Sequence, residues 1–237
     1  MSNNIKKVVK DTGLEHIAII MDGNRRWAKE KGLPTPAGHK KGVDALRATV
    51  RACDDLGVKY LTVYAFSTEN WNRKKEEVDF LMDLVAITLE NELDEMHKEN
   101  VKISFIGDLK KLSDKLQRVV YNAQDKTSNN TGVNLQIALN YGARDEITNA
   151  VKKIIQSGIS SEDVTPDLIS KNLYTSDIPD PDILIRTGGE KRLSNYLLWQ
   201  VAYSEVIVID DFWPEFGKNK LINCIEEFNS RHRRYGK

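Results

Sequence analysis

Cysteine is scarce in this chain: Cys53 and Cys224 are the only two in 237 residues, far apart and in no metal-binding spacing. That excludes a disulfide scaffold and suits a reducing compartment. An excess of one charge is also missing, because 35 Lys plus Arg balance 35 Asp plus Glu. A net charge of zero gives no whole-molecule attraction to nucleic acid, so no nucleic-acid partner is expected and any basic site must be local. No apolar run approaches the roughly eighteen residues of a membrane span. The segment "MSNNIKKVVKDTG" has too short an apolar stretch for a signal peptide. A cytoplasmic protein is expected, one that touches a membrane at most peripherally. The nucleotide loops GxxxxGK[ST] and GxGxxG are absent, and so are CxxC, HExxH, GxSxG and the paired-carboxylate motif DDxxD.

What the chain does have is alternation. Its hydrophobic fraction of 40% is enough for one sizeable core. One domain is expected over residues 16–237, preceded by a flexible arm over residues 1–15. "HIAIIM" is continuously apolar and reads as a strand buried on both faces. "GHKKGVDALRATVRACDDLG" reads as a helix, with Val43, Leu46, Val50 and Cys53 at spacings of three and four and Gly57 as its C-terminal cap. "KYLTVYAFS" is a second strand, rich in β-branched and aromatic residues. A long helix is expected from about Lys75 to Glu99, then the strand "VKISFIG", a helix from Leu109 to about Lys126, the strand "VNLQIALNYG" and the helix "ARDEITNAVKKIIQSG". "PDILIRTGG" and "EVIVID" read as two more strands, with a last helix from Lys218 to about Arg233. The pattern predicts an α/β fold with a mostly parallel central sheet flanked by helices.

In such sheets ligands sit beyond the carboxyl ends of the strands. Polar segments fall there four times: at Asp22, in "STENWNR", in "NYGAR" and in "RTGGEKR". Asp22 is followed at once by Gly23, Asn24, Arg25, Arg26 and Trp27. It either caps a helix beginning near Asn24 or forms half of a site for a metal-bound anion. Arg25 and Arg26, beside the N–H groups of a helix start, supply a charge-assisted anion site. In the fifth-strand segment Gly188 and Gly189 allow close backbone approach, while Arg186, Arg192 and Ser194 add donors. Ser67, Glu69, Asn70 and Arg73 follow the second strand; there Trp71 reads as packing. His39, in "AGHKKG", is either an anion donor or a satisfied structural residue. Few carboxylates among many arginines suit diphosphates carrying one Mg²⁺, which takes one or two carboxylates plus phosphate oxygens and water.

The segments "HIAIIMDGNRRWA", "GHKKG", "YAFSTENWNR", "NYGARDEI", "LIRTGGEKRLSNYLLWQVAYSE" and "FWPEF" together resemble the signature segments of the cis-prenyltransferases, from about His16 to the C-terminus. The resemblance implies a homodimer that adds isopentenyl diphosphate units to an allylic diphosphate such as farnesyl diphosphate. Each new double bond would be cis, and the product a polyprenyl diphosphate of undecaprenyl length, a cell-wall lipid carrier. By the same resemblance Asp22 holds Mg²⁺ on the allylic diphosphate, in a pocket made by Gly23, Asn24, Arg25, Arg26 and Trp27 with His39 nearby. Ser67 and Asn70 serve the condensation step, and Trp71 and Arg73 complete their segment. Arg186, Arg192 and Ser194 match the isopentenyl diphosphate site, and Glu205 matches a second carboxylate linked to Mg²⁺. The ending "RRYG" resembles an Arg-x-Gly tail that reaches the other subunit's site. The growing chain is expected in a tunnel near Leu81, Val85, Leu89, Ile103, Leu135 and Ile137. Thr35 and Arg25 depart from the family pattern, which has Arg and Gly respectively in many members. Two other readings stay open: a non-catalytic partner subunit that keeps the fold, and a phosphohydrolase with Asp22 as nucleophile. The latter calls for a second carboxylate where Asn24 stands.

Overall fold

The apolar run His16–Ile20 forms β1, and all five residues are buried, as a strand covered on both faces requires. The structure is a computed structural model and describes residues 2–231. In chain order the other strands are β2 (Tyr60–Ser67), β3 (Lys102–Ile106), β4 (Asn134–Tyr141), β5 (Ile183–Arg186) and β6 (Glu205–Val208). They make one six-stranded sheet in the order β3-β4-β2-β1-β5-β6, parallel throughout. The chain builds outward from β1 to one side through β2, then returns to the other side with β5. β1 is therefore the place where the winding reverses, and a crevice opens at its carboxyl end.

The helices are α1 (Ser2–Thr12), α2 (Asn24–Glu30), α3 (Thr35–Leu56), α4 (Lys75–Lys98), α5 (Asp114–Thr127), α6 (Ala143–Gln156), α7 (Pro166–Asn172) and α8 (Lys218–Ser230). Side chains alternate across β1. Ile17 and Ile19 join the large core formed with α3, α4, α5 and α8. Ala18 and Ile20 face a smaller core with Tyr141, Leu184, Tyr196 and Leu197.

Three expectations need correction. Residues 1–15 are not a free arm: α1 occupies most of them, with Ile5 at 1% and Val9 at 4% exposure in the large core, against α3 and α8. A lysine-rich segment this short is marginal as an isolated helix, and here burial of its apolar face supplies the stability. α3 begins at Thr35, because Pro34 is its N-cap and Pro36 sits in the first turn, where a missing N–H costs nothing. The helix expected from Leu109 is a 3-10 turn at Leu109–Lys111 followed by α5, whose N-cap Ser113 accepts from the Leu116 N–H. Gly38 is where α3 touches the start of α2. A Cβ there would stand 2.1 Å from the Asn24 carbonyl oxygen.

If α1 belongs to the core, Ile5→Ala should lower the unfolding free energy by about 2–5 kcal/mol, read from urea denaturation. A free arm would leave the midpoint unchanged.

Candidate active site

Asp22 stands two residues beyond β1, in the crevice where the winding reverses. Thr187, just after β5, fixes its backbone: the Asp22 N–H donates to Thr187 Oγ1 (2.9 Å), which donates to the Asp22 carbonyl (2.7 Å). The Asp22 carboxylate does not cap α2, whose N-cap is Gly23 with no side-chain bond. It lies instead between two guanidiniums, 2.8 Å from Arg186 and 3.0 Å from Arg26. Partial burial opposes its charge, but the hydrogen bonds from Arg186 and Arg26 outweigh that and hold its pKa below the ordinary value.

Each arginine is itself positioned. Arg26 Nη1 donates to the Gly188 carbonyl (2.8 Å). Gly188 has φ +84, and a Cβ there would stand 2.5 Å from Arg26 Nη2, so no other residue fits without displacing the guanidinium. Arg186 has a side chain only 5% exposed, and it donates to Ser194 Oγ (3.0 Å) and to the Arg192 carbonyl. Ser194 and Asn195 take left-handed φ values of 52 and 60. Side-chain bonds hold that turn: Asn195 donates to Glu69 (2.9 Å) and accepts from the Arg144 N–H (3.0 Å).

Two polar cavities meet at Asp22. One, of about 700 Å³, is lined by Gly23, Arg25, Arg26, Lys29 and Thr35. The other, of about 600 Å³, is lined by Ser67, Asn70, Arg186, Arg192 and Ser194. Both share Met21, Asp22, Asn24, His39 and Arg73. A third, apolar cavity of about 120 Å³ adjoins them at Met21, Asn24 and His39 and runs between α3 and α4. Among the described residues, three buried polar atoms on these walls have no partner: Asn24 Oδ1, His39 Nε2 and Arg186 Nε. Buried polar groups are nearly always paired, so these three fit a site that takes a polar ligand. His39 Nδ1 lies 3.4 Å from Asn24 Nδ2. Accepting there leaves the proton on Nε2, the buried atom left without a partner among the described residues. Burial first, then the nearby Arg73 charge, lowers the His39 pKa to about 4.

Most of the residues singled out in the sequence converge on these walls. Four do not. Trp27 donates to Glu215 (3.2 Å) and Trp71 to Asn140 (2.7 Å), and neither lines the cavities. Among the tunnel candidates Ile103 and Leu135 lie in the closed core at 2% and 0% exposure, whereas Leu81, Val85, Leu89 and Ile137 line the apolar cavity. Glu205 also stands apart from them within one subunit. It opens β6 opposite Ile183, the first residue of β5, while Asp22 lies past the other end, where Ile20 pairs with Arg186. Its carboxylate is held by Arg231 (2.9 Å), so Asp22 and Glu205 of one subunit do not form one metal site. The expected "RRYG" tail contact lies outside the described residues.

Among the described residues no group of three or more His, Cys, Asp or Glu side chains could hold a metal ion. One anionic carboxylate among guanidiniums fits a hard cation that arrives with phosphate oxygens as most of its ligands. Asn70 is part of the scaffold as well as of the wall, since its Oδ1 accepts from the Ser67 N–H (3.0 Å). Sequence reasoning missed Thr187, Asn195 and the buried Glu146. Glu146 accepts from Tyr141, Gln200 and the Tyr174 N–H, tying α6 to the chain on either side of β5.

Two cation-lined pockets that share a carboxylate, beside an apolar cavity, define a site for joining two anionic substrates of which one carries an apolar tail. A family model for putative undecaprenyl diphosphate synthase matches residues 20–236, and the chain belongs to that prenyltransferase family. An isoprenyl transferase of Clostridium tetani is 50% identical over 94% of this chain and 89% of its own length. A ditrans,polycis-undecaprenyl-diphosphate synthase, (2E,6E)-farnesyl-diphosphate specific, of Micrococcus luteus is 46% identical over 98% of this chain and 97% of its own. The crystal structure of lavandulyl diphosphate synthase from Lavandula x intermedia, in complex with dimethylallyl diphosphate, superposes with a TM-score of 0.91 at 33% identity, covering 94% and 98% of the two chains.

The depressed His39 pKa has a sign that can be tested. A histidine that stays neutral when folded but titrates near 6.5 when unfolded costs stability as pH falls from about 6.5 towards 4. In an NMR titration the His39 ring resonances should move only near pH 4. A midpoint near 6.5 would contradict the buried, neutral assignment.

Proposed function

We propose that this protein is a cis-prenyltransferase. It condenses isopentenyl diphosphate units onto an allylic diphosphate, with farnesyl diphosphate as primer and an undecaprenyl-length diphosphate as product. The observation that carries the reading is the pair of cation-lined cavities meeting at one carboxylate, with an apolar cavity on their shared wall. The names of the relatives support it, and so does the dimethylallyl diphosphate bound to the plant enzyme.

In this reading the allylic diphosphate occupies the pocket of Arg25, Arg26 and Lys29, with its apolar tail towards Leu81 and Val85. Isopentenyl diphosphate occupies the pocket of Arg186, Arg192 and Ser194. The allylic carbon–oxygen bond breaks as diphosphate leaves, the isopentenyl double bond attacks that carbon, and a proton is lost from the isopentenyl unit. The chain's residues contribute in two ways. Guanidiniums already aimed at the leaving diphosphate stabilise its growing charge without reorganising. Two pockets with a common wall hold the reacting carbons in line, which converts an encounter into an intramolecular step. Asp22 would hold Mg²⁺ against the diphosphate, where the ion supplies charge neutralisation. His39 Nε2 donates to a phosphate oxygen. Dimerisation through the exposed edge near Tyr203 and Val206, 83% and 42% exposed, completes the proposed assembly.

Full-length protein incubated with Mg²⁺, farnesyl diphosphate and isopentenyl diphosphate should yield an undecaprenyl-length product, and chelation should stop it. Asp22→Ala should lower turnover on the order of a hundredfold or more. No elongation by the parent, or near-normal turnover by Asp22→Ala, would overturn the reading. Arg192→Ala removes a charge-assisted contact worth about 1.5–3 kcal/mol, so it should raise the KM for isopentenyl diphosphate while leaving that for the allylic substrate unchanged. The opposite split would exchange the two pockets.

A further inference from the structure

The apolar cavity ends against charge. Its walls are Val43 and Leu46 on α3, and Leu84, Val85, Thr88 and Leu89 on α4. Just past these walls stand Arg47, next to Leu46 on α3, and Glu92, about one turn beyond Thr88 and Leu89 on α4. They form a bidentate pair across the gap, Nε to Oε2 at 2.8 Å and Nη2 to Oε1 at 2.5 Å. Their side chains are partly buried, at 31% and 19% exposure, and Arg47 also reaches Asp44 (3.5 Å), so the pair bridges the two helices just past the cavity. The next turn repeats the device, with Arg51 reaching both Glu95 and Glu99. α3 and α4 are thus joined beyond the cavity by a ladder of guanidinium–carboxylate bonds, and along the cavity by apolar contact alone.

The size of the cavity gives the ladder a consequence. Taking about 10–15 Å³ of such space per water-sized group, 120 Å³ holds about 8–12 groups, far short of an undecaprenyl-length chain. A growing apolar chain must therefore part the walls of the cavity, and the Arg47–Glu92 pair is the first ionic joint between α3 and α4 past those walls. The planar fork of Arg47 makes that joint directional, and lysine would not reproduce it.

We infer that the Arg47–Glu92 pair is a specificity-determining clasp that closes the far end of the product cavity and limits how long the prenyl chain grows. The inference rests on the prenyltransferase reading above. Neither residue touches the polar cavities, so the clasp acts on late elongation and not on the first condensation.

The test uses full-length protein, Mg²⁺, farnesyl diphosphate and excess labelled isopentenyl diphosphate, with products resolved by chain length and the first condensation timed separately. Glu92→Gln and Arg47→Gln should each shift products to longer chains while the first condensation keeps its rate. The charge-reversed double variant Arg47→Glu/Glu92→Arg should bring the distribution back towards the parent. Arg47→Lys, which keeps the charge and the fold but loses the fork, should give a smaller shift in the same direction and serves if a glutamine variant does not fold. An unchanged distribution in folded variants would overturn the clasp, and so would lengthening that the reversed pair fails to correct. A parent that forms no prenyl product at all would overturn the prenyltransferase reading itself, and the clasp with it.

Discussion

The carboxylate of Asp22, held between the guanidiniums of Arg26 and Arg186, is the interaction on which the rest of the site depends. Two guanidiniums facing one crevice repel each other and lose hydration, and a single anion between them offsets both costs. The carboxylate also fixes where they point. Arg26 arrives from α2 and Arg186 from the end of β5, elements far apart in sequence that the sheet order brings together at β1. A diphosphate entering either side competes for one guanidinium and frees one carboxylate oxygen.

The support behind that pair is unusually specific. Thr187 locks the Asp22 backbone through two bonds. Gly188 leaves room for Arg26, and Asn195 holds the left-handed turn that presents Ser194. Non-glycine residues with positive φ cost energy unless their surroundings over-determine them. Here they are over-determined by bonds to Glu69 and to the start of α6, segments that themselves line or border the cleft. Because the same bonds stabilise the fold and set the donor geometry, a change in one strut should move several donors together.

Much of this was legible in the sequence. Continuous apolar strands implied a parallel sheet, and the polar segments beyond their carboxyl ends implied one cleft. Asp22, Arg26, His39, Arg73, Arg186 and Ser194 do meet there. What stayed hidden depended on tertiary packing. α1 exists because α3 and α8 cover Ile5 and Val9, which composition does not reveal. Glu205 lies in a motif next to site residues, yet strand register puts it at the far end of the sheet. Trp27 and Trp71 sit among site residues in sequence, but their indoles turn to Glu215 and Asn140. Thr187 and Asn195 act through side-chain bonds to partners far away in sequence, which no local pattern marks.

The claim that two diphosphate pockets flank one carboxylate is tested most directly by a crystal structure of the protein with isopentenyl diphosphate and a non-reactive farnesyl thiodiphosphate. The account predicts the thio-substituted diphosphate against Arg25 and Arg26 with its chain entering the cavity between α3 and α4. The second diphosphate should lie against Arg186, Arg192 and Ser194, with Asp22 between the two. Both diphosphates in one pocket, the two exchanged, or Asp22 still paired with both arginines when the pockets are full would contradict it.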